Sequence, residues 1–277
     1  RGLGDEYKRQ DRRLQLTLSD DAVWRRRLEE GRRVLEGAHH GGHPVYGVTT
    51  GVGNDADRRI GAAEVQAFAY QIIRQHGCGM GEPFSPAEGR AILFTRLVSL
   101  AKGYSAVRPA LLQALCDLLN HDVIPLIPSL GSVGASGDLT PLSYVAAVLA
   151  GEREACCRGE VLPAGQALTR AGLSPHRFAP KESLAIMNGT SVMTALGALT
   201  CRQLSRTLAL GERAAALALE LLYGRSLAFH PKAHELKGHP GQITSAAAIR
   251  EAFAGSGLVD RGKAEGREAR PRIVQDP

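Results

Sequence analysis

The stretch Gly131-Ser132-Val133-Gly134-Ala135-Ser136-Gly137-Asp138-Leu139 holds three residues able to build a reactive group from backbone. Gly137 lacks a Cβ, so its amide nitrogen can approach the Ala135 carbonyl in a geometry that other residues resist. Small Ala135 leaves the resulting ring uncrowded, and Ser136 supplies a hydroxyl that is lost as water to leave an exocyclic methylene. That methylene is a Michael acceptor, an electrophile no standard side chain provides. Ala-Ser-Gly alone could occur by chance in 277 residues; the Gly-Ser-x-Gly before it and the Asp-Leu-x-Pro-Leu after it raise it above chance.

Three further segments accompany it: Tyr46-Gly-Val-Thr-Thr-Gly-Val-Gly53, Lys181-Glu-Ser-Leu-Ala-Ile-Met-Asn-Gly-Thr190 and His234-Glu-Leu-Lys-Gly-His-Pro-Gly-Gln242. In this order and at these separations the four resemble the methylidene-imidazolone-dependent aromatic amino-acid lyases and aminomutases, over nearly the whole chain. The resemblance implies an L-aspartase-like, mainly α fold. It also implies a methylidene-imidazolone formed from Ala135-Ser136-Gly137, with no external cofactor.

Such a reaction needs an electrophile, a base and a holder of negative charge. Tyr46 matches the family's catalytic tyrosine, which must take a weakly acidic β-proton; a free phenol, with a pKa of about 10, needs help to do so at neutral pH. Asn188 matches the asparagine that hydrogen-bonds the ring carbonyl, an oxyanion-hole role. Thr190 reads as the better cap for the helix that follows, leaving Asn188 for the site. Thr49, Thr50 and Gly51 lie beside Tyr46, where they can touch substrate and where glycines allow a water-excluding lid.

The family's substrate choice is read largely from the two positions occupied here by Gln75 and His76. Tyrosine lyases usually show His-Leu there, phenylalanine lyases Phe-Leu and histidine lyases Ser-His, so Gln-His departs from all three, although its second-position His resembles the histidine enzymes. Thr49-Thr50 and Pro141-Leu-Ser-Tyr144 lean towards the phenylalanine and tyrosine enzymes. A polar pair suits a phenol or imidazole, because polar pocket groups need partners. A helix-end role for His76 is the competing reading.

The remaining histidines, His39, His40 and His43 or His230, His234 and His239, lack His-Glu-x-x-His spacing and read as structural, with no metal. His234 to Gln242 departs from the family in carrying Lys237-Gly238 where Arg-Pro is common.

Around these residues the composition favours helix packing: 44% hydrophobic and 5% aromatic, so the core rests on Ala, Leu and Val. Five cysteines, Cys78, Cys116, Cys156, Cys157 and Cys201, without a signal peptide point to a cytoplasmic location. The formal charge of +6 gathers in Arg25 to Arg33 and Arg261 to Arg272. Both clusters mix signs as solvated segments do, arguing against nucleic acid. No uninterrupted apolar run suggests a membrane span.

Asp20 or Asp21 caps a helix to about Leu35; others are expected from Ala62 to Gln75, from the Ser85-Pro86-Ala87-Glu88 capping box to Gly103, and from Pro109. Pro125, Pro128 and the glycines break regular structure until Thr140-Pro141 restarts a helix up to Gly151, and residues 152–180 are turn-rich. The Ala/Leu-rich run from Thr190 to Leu222 reads as a buried bundle helix. This divides the chain into an electrophile-bearing, loop-rich region, residues 1–190, and the start of a helical bundle, residues 191–277.

The chain stops at Gln275-Asp276-Pro277, which resembles the lead-in to the family's arginine element that binds the substrate carboxylate. It is therefore expected to be a fragment, a cleaved product with a separate C-terminal polypeptide, or a truncated relative. The resemblance implies a homotetramer in which several subunits build each site, the tyrosine loop crossing an interface. It also implies ammonia elimination from phenylalanine, tyrosine or histidine to the trans-2-enoate. A 2,3-aminomutase giving a β-amino acid is the alternative, and an inactive scaffold a further one.

Overall fold

The computed structural model describes residues 15–61, 63–134 and 136–260. The basic cluster from Arg261 to Arg272 and the terminal Gln275-Asp276-Pro277 lie outside them. The described residues group into two compact units, one reaching Leu199 and one starting at Thr200.

The first unit is mainly helical. Helix α1 (Ala22–His40) is capped by Asp21, whose carboxylate accepts from the Val23 and Trp24 amides. It runs through Gly37, beyond its expected end, because a single glycine only weakens a helix that pairs Arg32 with both Glu29 and Glu36. Helix α2 (Val65–Gln75) precedes strand β1 (Met80–Pro83). Helix α3 (Pro86–Ala101) opens on the expected capping box: the Glu88 amide donates to the Ser85 hydroxyl, and the Ser85 amide to the Glu88 carboxylate. Helix α4 (Pro109–Asn120) follows, with Leu111, Leu112, Leu115, Leu118 and Leu119 buried.

Strands β2 (Val123–Pro125) and β3 (Pro128–Leu130) lead into α5 (Leu139–Leu149), all but two of whose residues are buried. The turn-rich stretch resolves into a hairpin of β4 (Glu154–Cys157) and β5 (Glu160–Pro163), followed by α6 (Ala164–Arg170). Both small sheets are antiparallel. Strand β1 pairs with β3, joining the segment after α2 to the lead-in of the Ala-Ser-Gly loop. Strand β4 lies between β2 and β5, with Ile124 opposite Cys156.

Helix α7 (Glu182–Met187) is buried along its whole length. It packs with α2, α3 and α5 in one core that includes Ile72, Ile92, Leu100, Val145, Ile186 and Met187. A satellite cluster of Val48, Ile60 and Val65 anchors the Tyr46 turn.

Helix α8 (Ser191–Leu221) starts in the first unit and ends in the second. The expectation that it is buried is corrected. Ser191, Val192 and Ala195 are covered, but Leu204, Leu208, Leu217 and Leu221 are exposed. Ala and Leu dictate a helix by propensity alone, whereas burial needs a second surface, which the described residues do not provide along this face. By length and composition alone the stretch Glu182–Leu221, mean hydropathy 1.4 in its best window, is apolar enough to cross a membrane, a property that core helices share, and a third of that window (33%) is buried in protein.

In the second unit α9 (Pro231–Lys237) and α10 (Pro240–Ala252) pack together. The Phe229 and Phe253 rings meet edge-on at 6.2 Å, and Arg250 donates to the Phe229 carbonyl. His234 lies within hydrogen-bond distance of the Ala228 carbonyl through Nε2 and the Gln242 amide through Nδ1, a tie between the two helices.

Candidate active site

Two of the sequence-predicted segments touch at a pair of glycines. Gly137 lies in the left-handed region at φ +94°, and a Cβ there would sit 2.6 Å from the Gly189 carbonyl carbon. Any other residue would therefore be both strained and sterically excluded. The contact is sealed by the Asp138 amide, which donates to the Gly189 carbonyl at 2.7 Å. Ser136, next to Gly137, and Asn188, next to Gly189, are thus brought to one place in the fold. Both are exposed.

Ser136 itself has φ +57°, in a region disfavoured for a residue with a Cβ. Ala135 lies outside the described residues. The residues around it fit a methylidene-imidazolone: the cradle at Gly137 accepts only glycine, and the backbone turns left-handed at two successive positions. Among the described residues the Asn188 carboxamide makes no hydrogen bond, so its donors remain available.

The cap of α8 differs from the expected one. Thr190 accepts from Thr194 through its carbonyl, while the first amides of the helix, Val192 and Met193, donate to Asp138 Oδ2 at 2.9 and 3.1 Å. Asp138 Oδ1 accepts from the Ser132 hydroxyl at 3.0 Å. One buried carboxylate therefore fastens the Ala-Ser-Gly loop to the helix after Asn188, at the end where helix dipoles favour negative charge.

On the far side of Gly189 lies Arg96 of α3, 4% exposed. Its guanidinium donates to the carbonyls of Ala185 and of Asn188 (2.8 Å), and weakly to the Ser191 hydroxyl at 3.4 Å. Desolvation pushes its pKa down to about 10, with the Asp138 charge opposing the shift. Sequence reading missed Arg96 and the cross-helix cap of Asp138. A signal for Arg96 was present: it shares the apolar stripe of Ile92, Leu93, Leu97 and Leu100, where a cation has no solvent to reach.

Tyr46 is half exposed, and its hydroxyl oxygen accepts from the Gly53 amide at 2.9 Å. Its turn is tightly knit. The Val45 carbonyl accepts from the Val48, Thr49 and Thr50 amides, and the Ile60 amide donates to the Thr49 carbonyl at 2.9 Å. Thr50 is buried, and its hydroxyl donates to the Gly51 carbonyl. Gly51 packs so that a Cβ would meet Asp55 Cβ at 2.8 Å. The turn leans on α7, since a Cβ at Gly47 would approach Leu184 to 2.5 Å.

Gln75 ends α2, and His76 caps it with Nδ1 2.9 Å from the Ile72 carbonyl. His40 and His121 make the same contact at the ends of α1 and α4. The helix-end arrangement is therefore present at His76 and occupies one ring nitrogen, leaving Nε2 for another partner. The loop after it is held in place. Arg74 pairs bidentately with Glu152, Arg153 donates to the Gly77 carbonyl at 2.7 Å, and the Arg153 guanidinium stacks 4.3 Å over Tyr144. Gly79 in turn lies against Gly131, where a Cβ would be 3.2 Å from the Gly79 Cα. The segment after Gln75-His76 and the lead-in to the Ala-Ser-Gly loop thus share a border.

At the other end of α7, Glu182 is 1% exposed and accepts from Arg108, from the Ala179 amide and from His176 Nε2. Burial alone would raise its pKa, but these donors hold it down at about 2.

Comparison with known proteins agrees with this geometry. The family model "Aromatic amino acid lyase" matches residues 7–277. The histidine ammonia-lyase of Gloeobacter violaceus is 47% identical over 79% of this chain and 43% of its own length; that of Myxococcus xanthus is 42% identical over 88% and 47%. Tyrosine aminomutase from Streptomyces globisporus superposes with TM-score 0.84 at 35% identity, over 95% of this chain and 51% of its own. The chain therefore spans about half the length of these relatives. With its fold mainly helical and of the L-aspartase type shared by such enzymes, it is a member of the aromatic amino acid lyase family.

Proposed function

We propose that the chain carries the electrophile-bearing part of an ammonia-lyase that eliminates ammonia from an aromatic L-amino acid to give the trans-2-enoate. One observation carries the reading: the Gly137–Gly189 contact, which brings Ser136 and Asn188 together on an exposed edge. When formed from Ala135-Ser136-Gly137, the methylidene-imidazolone supplies an electrophilic methylene for the substrate amine.

The chain's own residues do the rest. Tyr46 takes the substrate β-proton on its phenol oxygen, which the Gly53 amide orients. Asn188 donates to the ring carbonyl oxygen, holding negative charge there. Thr50 and Gly51 shape the backbone that excludes water beside Tyr46. Gln75 and the free His76 Nε2 read the substrate ring. Their polarity and the likeness to histidine ammonia-lyases favour histidine among the three candidates. The reading places the protein in the cytoplasm as a homotetramer, with the remainder of the family's fold supplied by a further polypeptide segment.

An aminomutase producing a β-amino acid is the second reading, supported by the structural likeness to tyrosine aminomutase. Incubating the intact protein with histidine, phenylalanine and tyrosine, and separating enoate from β-amino acid, decides between them. Intact mass tests the electrophile directly: the ring lowers the mass by two waters. Denaturing mass analysis that finds this chain alone in active material would exclude a second polypeptide.

A further inference from the structure

We infer that Arg96 is a positioning residue for the electrophile: it braces the Asn188–Gly189 turn against Gly137, setting the backbone geometry in which the ring closes and Asn188 meets it. The inference rests on the reading above that a ring forms from Ala135-Ser136-Gly137.

A guanidinium as buried as this one is costly to desolvate, and such cations are ordinarily matched by a carboxylate. Arg96 has no ion pair among the described residues, and its buried Nε has no hydrogen-bond partner. Its bonds go instead to the backbone on either side of α7's last turn, Ala185 and Asn188, and to Ser191 at the start of α8. Arg108 shows the contrast, spending its donors on Glu182 in a bidentate pair.

The space is equally specific. A Cβ at Gly189 would fall 2.9 Å from Arg96 Cζ and closer still to its terminal nitrogen. The same glycine's carbonyl blocks any Cβ at Gly137. The turn is thus clamped, with the guanidinium on one face and the Ser136–Gly137 backbone on the other. Asp138 closes the clamp through its amide on the Gly189 carbonyl and its carboxylate on Val192 and Met193.

Ring closure requires this kind of restraint. The Gly137 nitrogen must bond the Ala135 carbonyl carbon, whose oxygen leaves as water with the Ser136 and Gly137 amide protons. The Ser136 hydroxyl then leaves as a second water with its Cα hydrogen. An unrestrained loop reaches the attacking geometry rarely, because it must give up backbone freedom. A plain helix cap for α7 would need neither a buried cation without a contacting ion-pair partner nor a glycine moulded to it.

The experiment compares Arg96→Met, Arg96→Lys and Gly189→Ala with wild type, reading intact mass, thermal unfolding and kinetics; Ser136→Ala is the full-mass control. Gly189→Ala displaces the guanidinium without removing it, so it tests the clamp even where Arg96→Met fails to fold. The expected result is folded variant protein mostly at full mass, lacking the two-water deficit of wild type. The residual ring-bearing Arg96→Lys protein should show kcat lowered about 100-fold with KM little changed, as misplacement of a catalytic group by about 1 Å does. Folded Gly189→Ala and Arg96→Lys proteins with the wild-type deficit and wild-type kcat would reduce Arg96 to a helix cap and overturn the inference. Wild-type protein at full mass would overturn the ring reading itself, and this inference with it.

Discussion

Helix α7 buries an anion at its first residue and leans on a buried cation at its last turn, and the two charges are treated in opposite ways. Glu182 is saturated: both carboxylate oxygens accept, from Arg108, His176 and the backbone, and the ion pairs are complete. Arg96 is left short of partners, with an orphan Nε and only carbonyl and hydroxyl oxygens on its terminal nitrogens. The saturated end spends its hydrogen bonds on Arg108, His176 and Ala179. The unsaturated end touches Gly189 and, through it, the Ala-Ser-Gly loop. A satisfied buried charge stabilises; an unsatisfied one is tolerated only where its position serves the site.

The sharpest way to break this contrast is to remove the chemistry from one end. Ser136→Ala should lower kcat/KM by at least about 10,000-fold, about 5 kcal/mol, while leaving thermal unfolding at the wild-type temperature. A large drop in melting temperature would mean that the loop is a stability element like the Glu182 end. Glu182→Ala should do the reverse. It strands Arg108 and His176, and denaturant titration should show a loss of about 3–5 kcal/mol while the folded fraction keeps its two-water mass deficit.

Acid should separate the ends next. The folded pKa of Glu182 lies below its ordinary value, so its contribution is fully present above about pH 4.5 and is lost as pH falls towards about 2. The loss amounts to about 3 kcal/mol, read as a falling unfolding free energy across that window. Glu182→Gln should flatten the dependence. If it does not, other carboxylates carry the acid sensitivity. The smallest effect is expected at Asp138→Asn, which keeps a side-chain oxygen for the α8 amides and gives up the charge. About 1 kcal/mol of stability should go, measured by thermal unfolding.

Much of the candidate site is legible in the sequence because the proposed chemistry fixes residue types. Ser136 needs a hydroxyl, Gly137 needs to lack a Cβ, and the capping box and proline starts mark helices by local bonds. The helices themselves followed from apolar spacing, as in α4. What stayed hidden depended on partners far along the chain. Asp138 immediately precedes α5 and belongs to the Ala-Ser-Gly motif, yet its carboxylate caps α8, accepting from amides 54 and 55 positions further along the chain. The exposure of the α8 leucines is hidden for the same reason, since an Ala/Leu pattern specifies a helix without specifying what covers it.

The sequence by itself determined the candidate Ala-Ser-Gly tripeptide, the helical class and the family, because these rest on residue types and on bonds between near neighbours. Only the tertiary structure decided that Gly137 and Gly189 touch, and that Arg96 stands behind them. It also decided that His76 spends one nitrogen on its own helix while Glu182 draws donors from Arg108, His176 and Ala179. The physical reason is that steric exclusion and desolvation act between atoms brought together by packing, and neither leaves a local pattern in the chain.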